Sequence, residues 1–252
     1  MTVVVERRDR VAWVILDRPA VRNAVDLRMR VELADALDRL AGDDDLHALV
    51  LTGRGETFCA GGDLAELAQP RTPAEAADRM AAGNRMIAAL HGFPVPTVAA
   101  VHGAAAGAGC GLALACDLVY AAASARFVLS FTGLGLAPDA GASVLLPARL
   151  GPGRTKELLL LGGTLDAVDA AGAGLVDRVV PDDRLLAEVE TVARTLADRS
   201  RPALVATKRL VDRHVDLASA LAAELDAQVA LLATSEHRAA RDAFLARKGA
   251  RT

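Results

Sequence analysis

Two stretches of this chain have the residue types and spacing to present bare backbone N–H groups to a ligand. One is Phe58-Cys59-Ala60-Gly61-Gly62-Asp63-Leu64, and the other is Gly103-Ala104-Ala105-Ala106-Gly107-Ala108-Gly109-Cys110-Gly111. In each, a strand is predicted to pass through glycine into a helix. The first turn of a helix carries unpaired N–H groups, and its macrodipole favours negative charge. Glycine and alanine leave those donors uncovered. Two such turns facing each other would direct two N–H groups at one oxygen, as an oxyanion hole for an enolate or a tetrahedral intermediate requires. A single glycine turn before a helix is, by contrast, an ordinary packing device. The second stretch reads Gly107-x-Gly109-x-Gly111 in mid-chain, not the G-x-G-x-x-G of a dinucleotide site. Neither a Walker A sequence nor a G-x-S-x-G elbow occurs.

The elements that must position these turns alternate between strand and helix. Val3 to Glu6 and Val11 to Leu16 read as strands joined by a turn at Arg7 to Arg10. Asp26 is placed to cap a helix whose buried stripe is expected at Leu27, Val31, Ala34, Leu37 and Leu40. His47 to Thr52 reads as a buried strand. Thr72 and Pro73 open a helix to about His91, and Pro94 and Pro96 force extended chain into a strand at Thr97 to Val101. An Ala/Leu helix at Ala108 to Cys116, strands at Asp117 to Ala121 and Arg126 to Leu129, and a strand near Leu175 to Val180 follow. Three helices are expected from Asp183 onward. This order predicts an α/β fold with largely parallel pairing, in which strand–strand–helix units recur.

Composition narrows the function classes. Of 252 residues, 52% are hydrophobic and 24% charged, a folded profile with a sizeable core. Net charge is −3, so no basic stripe points to nucleic acid or a membrane surface. Aromatics are only 3%, too few for base-stacking platforms. Three cysteines without metal-ligand spacing disfavour both a disulfide scaffold and a metal site. Thr97 to Cys116 is uncharged but punctuated by glycines, and reads as strand, turn and helix rather than a bilayer span. The first ten residues lack the apolar run of a signal peptide, so a cytoplasmic location is expected.

Several motifs occur together and in order: Arg22-Asn23-Ala24, Thr57 through Leu64, Val101-His102-Gly103 through Ala115-Cys116-Asp117, Gly135-Leu136-Ala137-Pro138-Asp139, and Ala173-Gly174-Leu175-Val176. In this the chain resembles the enoyl-CoA hydratase/isomerase (crotonase) superfamily, from its first strands to about Val180. The resemblance implies a spiral of strand–strand–helix turns over residues 1–182, with a C-terminal helical trimerisation region over residues 183–252. It implies acyl-CoA thioesters as substrates, with coenzyme A as part of the substrate and no separate cofactor or metal, and a homotrimer or dimer of trimers. It also implies that the thioester oxygen accepts hydrogen bonds from the backbone N–H groups of Gly62 and Ala108. A backbone donor tolerates alanine where relatives carry glycine.

Hydratases of this family use two glutamates. The matching positions here hold Gly111 and Phe131, so two-carboxylate water addition is disfavoured. Asp139 matches the acid of the enoyl-CoA isomerase and ring-opened acyl-CoA isomerase branches. One carboxylate can carry a proton from one carbon to another, so isomerisation needs fewer groups than hydration. Its apolar neighbours Phe131, Leu134, Leu136 and Ala140 would raise its pKa and make it a better base. The competing role is a cap for the helix through Leu146. The aryl-CoA dehalogenase branch, which carries a tryptophan where Phe131 stands and a histidine on the preceding helix, is a poorer match: Trp13 is the sole tryptophan and His91 ends its helix.

By the same resemblance Arg22 approaches the CoA phosphates, Ala24, Ala60 and Leu64 line the adenine site, and Phe244 and Lys248 reach CoA from the tail. Asp63 is grouped with these contacts, although capping the next helix is its more ordinary role. Cys59, Cys110, His102 and Asp117 read as structural. The expected activity is acyl-CoA isomerisation through a thioester enolate, with Asp139 carrying the proton. The rivals are enoyl-CoA hydration and a catalytically silent acyl-CoA-binding homologue.

Overall fold

The computed structural model describes residues 1–69, 72–212, 217–232, 234–239 and 241. Strands β1 (Val3–Arg8) and β2 (Val11–Leu16) form the expected hairpin, turned at Asp9, whose φ is +55°. After a loop, Asp26 caps α1 (Leu27–Ala41) by accepting the Met29 N–H at 2.8 Å. The expected stripe of α1 holds at Ala34 and Leu37, with Leu40 half-buried against the core, and fails in the first turns. Leu27 and Val31 are exposed, while Met29, Arg30, Leu33, Ala34, Ala36 and Leu37 are buried. The helix is turned so that an arginine joins its inward face.

β3 (Ala48–Gly53) leads through the first glycine turn into the short α2 (Leu64–Leu67) and the long α3 (Pro73–His91), which opens on a capping box between Thr72 and Glu75. β4 (Thr97–Val101) runs into β5 (Ala104–Ala106), a strand inside what reads in the sequence as a turn, and then into α4 (Ala108–Leu114). β6 (Leu118–Ala122) and β7 (Arg126–Val128) precede α5 (Ala142–Leu161), which is interrupted where Gly151 takes φ +73°. β8 (Thr164–Asp166), α6 (Ala167–Gly172) and β9 (Arg178–Val180) complete the strands, and α7 (Leu185–Ala197), α8 (Arg201–Val211) and α9 (Leu217–Leu232) follow.

Two strand layers rise together. The longer sheet has the order β1-β2-β3-β4-β6-β9, parallel except for the β1–β2 pair. The shorter layer has the order β5-β7-β8, and the isolated bridges Cys59–Ala105 and Val25–Gly62 extend it. Each turn of the spiral thus adds one strand to the long sheet and a short segment to the second layer before turning into a helix. Both glycine turns fall at that last step. One apolar cluster fills the space between the layers and α1, α3 and α4. A second lies under α7, whose Leu185, Val189, Ala193 and Ala197 are buried against the long sheet. The helical region expected from residue 183 therefore begins with a helix that covers one face of the core. No helix among the described residues is long and apolar enough to cross a membrane.

Candidate active site

The site is built first from backbone. Cys59 donates its N–H to Ala104 O at 3.0 Å, and Ala106 N–H donates to Cys59 O at 3.0 Å, so the two glycine turns are stitched side by side. Glycine is required at their contact. A Cβ on Gly61, whose φ is +91°, would stand 2.6 Å from Ala106 O, and one on Gly109 would stand 2.4 Å from Cys59 O. Backbone atoms cannot swing aside as a flexible side chain can.

The loop before α1 fixes this corner from below. Asn23 is fully buried with φ +55°. Its side chain accepts from Arg18 N–H at 2.9 Å and donates to Arg54 O at 3.0 Å and Thr57 O at 2.6 Å. Arg22 O accepts the Ala60 N–H at 2.9 Å, and Val25 O accepts the Asp63 N–H at 3.1 Å. The amides of Cys59, Ala60, Asp63 and Ala106 are thereby used, as is that of Gly107, which donates to Val128 O at 2.9 Å. The N–H groups of Gly62 and Ala108 have no hydrogen-bond acceptor among the described residues. Both residues line one cavity of about 350 Å³.

Asp139 lines the same cavity, together with apolar residues that include Leu67, Met80, Phe131 and Leu134. It does not cap α5. The N-cap of that helix is Gly141, in the left-handed region and with no side-chain cap bond, and Asp139 contributes only its backbone carbonyl, which accepts the Ala142 N–H at 3.0 Å. Its carboxylate is half-buried and accepts no hydrogen bond from another described side chain. Burial pushes its pKa above the ordinary carboxylate value, against the pull of the Arg30 and Arg79 guanidiniums.

Neither of the two positions that the resemblance matches to hydratase glutamates carries a carboxylate, and only one of them is blocked by backbone. Phe131 is buried, with its ring against Gly107. A Cβ at Gly111 would lie 2.3 Å from Ala140 O and 2.7 Å from Ala140 Cβ. Ala140 itself adopts φ +50°, so the chain bends just after Asp139 and fills the volume that a residue-111 side chain would occupy. The Gly111 glycine and the Asp139 segment are two halves of one packing arrangement.

Of the other anticipated contacts, Ala60 and Leu64 line the cavity with Gly62, whereas Ala24 is buried and Arg22 is exposed, its backbone in the left-handed region. The Asp63 carboxylate accepts from Ala65 and Glu66 N–H at 3.0 and 3.3 Å and pairs with Arg18 at 3.0 Å, so it is committed to capping α2. Lys248 and Phe244 lie outside the described residues. Cys59 and Cys110 are fully buried, and burial pushes both thiols up to about 12. His102 Nε2 sits 3.0 Å from Gly55 O, and its ring does not line the cavity. Asp117 holds Thr97 N–H at 2.7 Å and pairs with Lys208. No group of His, Cys, Asp or Glu among the described residues could hold a metal ion.

Two charged cavity residues escape the sequence reading altogether. Arg30 of α1 and Arg79 of α3 are 4% and 8% exposed and reach the cavity wall. Arg30 Nη1 donates to Arg79 O at 2.9 Å, and Arg79 Nε faces Glu66 Oε2 at 3.5 Å. The available signal was helical spacing: Arg30 falls within the stripe Met29, Leu33, Leu37, and Arg79 lies seven residues before Met86 on the buried side of α3.

Comparison with known proteins accords with this arrangement. A family model described as enoyl-CoA hydratase/isomerase matches residues 6–251. The chain is 37% identical over 240 residues to the 1,2-epoxyphenylacetyl-CoA isomerase of Escherichia coli (strain K12), covering 92% of this chain and 91% of that protein. It is 32% identical over 251 residues to the crotonyl-CoA hydratase of Syntrophomonas wolfei, covering 98% and 96%. The crystal structure of an enoyl-CoA hydratase from Bacillus anthracis superposes with a TM-score of 0.94 at 30% identity, covering 98% of this chain and 97% of that one.

Proposed function

The chain belongs to the enoyl-CoA hydratase/isomerase (crotonase) family and has that family's spiral fold, and from this premise we propose that it is an acyl-CoA isomerase in which Asp139 carries the proton. The observation that supports this reading is the meeting of Asp139 with Gly62 and Ala108 in one cavity, while Ala140 fills the space beside Gly111.

In this mechanism the thioester oxygen accepts the Gly62 and Ala108 N–H groups. As a C–H bond at the α- or γ-carbon breaks, its electron pair moves toward the thioester, and the developing enolate oxygen is met by donors already in place. The Asp139 carboxylate takes that proton and returns it to the other carbon. Nothing is consumed and the double bond moves. Burial makes Asp139 a stronger base than an exposed aspartate, while Arg30 and Arg79 favour the ionised form that must accept the proton. The CoA moiety is assigned to the surface around Arg22, Ala60 and Leu64, with the buried Ala24 and the helix-capping Asp63 supporting it from beneath and Lys248 as a further contact. Residues 183–252 are assigned to assembly as a homotrimer or dimer of trimers, a role that falls to the helices after α7.

The rival reading is hydration, which the names of several relatives favour. Both are tested by incubating the protein with a 3-enoyl-CoA and, separately, with crotonyl-CoA in water labelled with ¹⁸O, which water addition incorporates and proton exchange does not. Conversion of the first to the 2-enoyl-CoA, with no label entering the second, is the expected result. Rapid labelling of 3-hydroxyacyl-CoA would establish the hydratase instead. Thioester binding with neither reaction would leave a silent homologue.

A further inference from the structure

Resting on the acyl-CoA reading above, we propose that Arg79 is a positioning residue for the oxyanion site. Through Glu66 and through its packing on Gly62 it holds the one-turn helix α2, and so aims the Gly62 N–H at the thioester oxygen.

The two donors are held in unlike ways. Ala108 opens α4, all seven of whose residues are buried, so its amide is set by the core. Gly62 lies just before α2, a single turn with no buried residue. One turn of helix does not stand by itself in water. Asp63 and Arg18 secure the start of α2. The backbone beside Gly62 is tied to Val25: Gly61 O accepts the Val25 N–H at 2.7 Å, and Asp63 N–H donates to Val25 O at 3.1 Å. Two bonds to one residue resist translation but leave rotation about the line that joins them.

Arg79 limits that rotation from α3. Its Nη2 and Leu67 Cδ1 each lie 3.7 Å from the point where a Cβ on Gly62 would stand, so guanidinium and leucine pack on Gly62 off the Val25 ladder. Its Nε faces Glu66 Oε2 of α2 at 3.5 Å, and both side chains are largely buried. The arginine is itself braced, because Arg30 of α1 donates from Nη1 to the Arg79 carbonyl at 2.9 Å. A connected path therefore runs from α1 through α3 to α2 and Gly62. A buried ion pair adds little net stability over an apolar contact, because desolvation offsets the attraction. What it gives is a fixed distance and direction between two helices. An oxyanion donor works only when already in place, and misplacement by about 1 Å costs about 10²-fold in rate. Glu66 also balances the Arg79 charge, which separates this role from direct stabilisation of the oxyanion by a cation.

The test is the absorbance of 2,4-hexadienoyl-CoA at saturation, since a conjugated thioester absorbs at longer wavelength as its carbonyl is polarised. It is read in an Asp139→Asn background, where the proposed proton carrier is absent and residue 139 carries no charge. Binding is expected to move the band to the red. Arg79→Gln should remove most of that movement, with little change in melting temperature, and Arg79→Lys, which keeps the charge facing Glu66, should retain more of it. Glu66→Gln should also reduce the movement, and the double variant should lose no more than Arg79→Gln alone. An unchanged red shift in a folded Arg79→Gln protein would overturn the proposal. So would an unchanged or enlarged shift in Glu66→Gln, the enlarged one marking Arg79 as a bare cation acting on the oxygen. If Arg79→Gln does not fold, the direction of the Glu66→Gln change decides alone. A red shift that survives these substitutions overturns this inference only, whereas no binding, or binding without a shift before any change at Arg79 or Glu66, overturns the oxyanion reading as well.

Discussion

The cavity has two walls of opposite construction. One is backbone, where the Cys59–Gly62 and Ala106–Gly109 turns lie so close that Gly61 and Gly109 have no room for a Cβ. The other is side chain, where Arg30, Arg79 and Asp139 are brought together from helices and a loop far apart in sequence. In the proposed mechanism the first wall holds the thioester oxygen and the second moves the proton. A change in the backbone wall should therefore cost the fold and the site together, while a change in the charged wall should alter chemistry with a smaller effect on the scaffold.

The largest effect is expected at the contact of the turns. Gly109→Ala places a Cβ 2.4 Å from Cys59 O and should destabilise the protein by about 3 kcal/mol, with activity lost in parallel. Thermal denaturation checks this, and an unchanged melting temperature would mean that the turns are not locked as described. Asn23→Ala comes next. It leaves the Arg18 N–H and the Arg54 and Thr57 carbonyls without a buried partner, for a loss of about 2 kcal/mol in denaturant titration.

Gly111→Glu sharpens the contrast, because it restores a family glutamate on paper. Ala140 occupies that volume, so the variant should lose stability and gain no hydration of crotonyl-CoA. Measurable water addition by a stable variant would show that the Asp139 segment yields.

A smaller effect concerns pH. Asp139 has its pKa raised by burial, so ionisation to the active base, and with it kcat/KM, should rise across a pH range above that of an exposed aspartate. Arg30, Arg79 and, through Arg79, Glu66 are the charged groups acting there. Arg79→Gln removes a cation that opposes the shift, so the rising limb should move to higher pH; movement to lower pH would contradict the electrostatics. The same raised value means that the Asp139 contribution to stability is full below the ordinary carboxylate pKa and is lost as pH rises through its folded-state value.

The backbone wall was legible because glycine is locally informative. The need for a positive φ or a close approach is written at the residue itself, and the ordered motifs from Arg22 to Val176 point to one spiral fold. Capping at Asp26 and Thr72 was legible for the same reason. The charged wall was not. Arg30 was hidden because the apolar residues of α1 admit two stripes, and only packing against α3 selects Met29–Leu33–Leu37 over Leu27–Val31. Arg79 lies 49 residues further on, and no spacing rule links the two. Asp139 stood between two roles in the sequence. What removes the cap is the left-handed Gly141, which starts α5 without a side-chain bond. Strand β5 was missed because Ala104–Ala106 earns its strand character only by pairing with β7.

The central claim is that a carboxylate at residue 139 exchanges protons with a carbon held at the Gly62–Ala108 amides. Its most direct test is solvent deuterium incorporation at the acyl carbons of a bound acyl-CoA, followed by mass spectrometry in the wild type and in Asp139→Asn. The account predicts steady incorporation by the wild type and a fall of about 10²- to 10⁴-fold in the variant, with CoA-ester affinity nearly unchanged. Exchange by Asp139→Asn at close to the wild-type rate would contradict it.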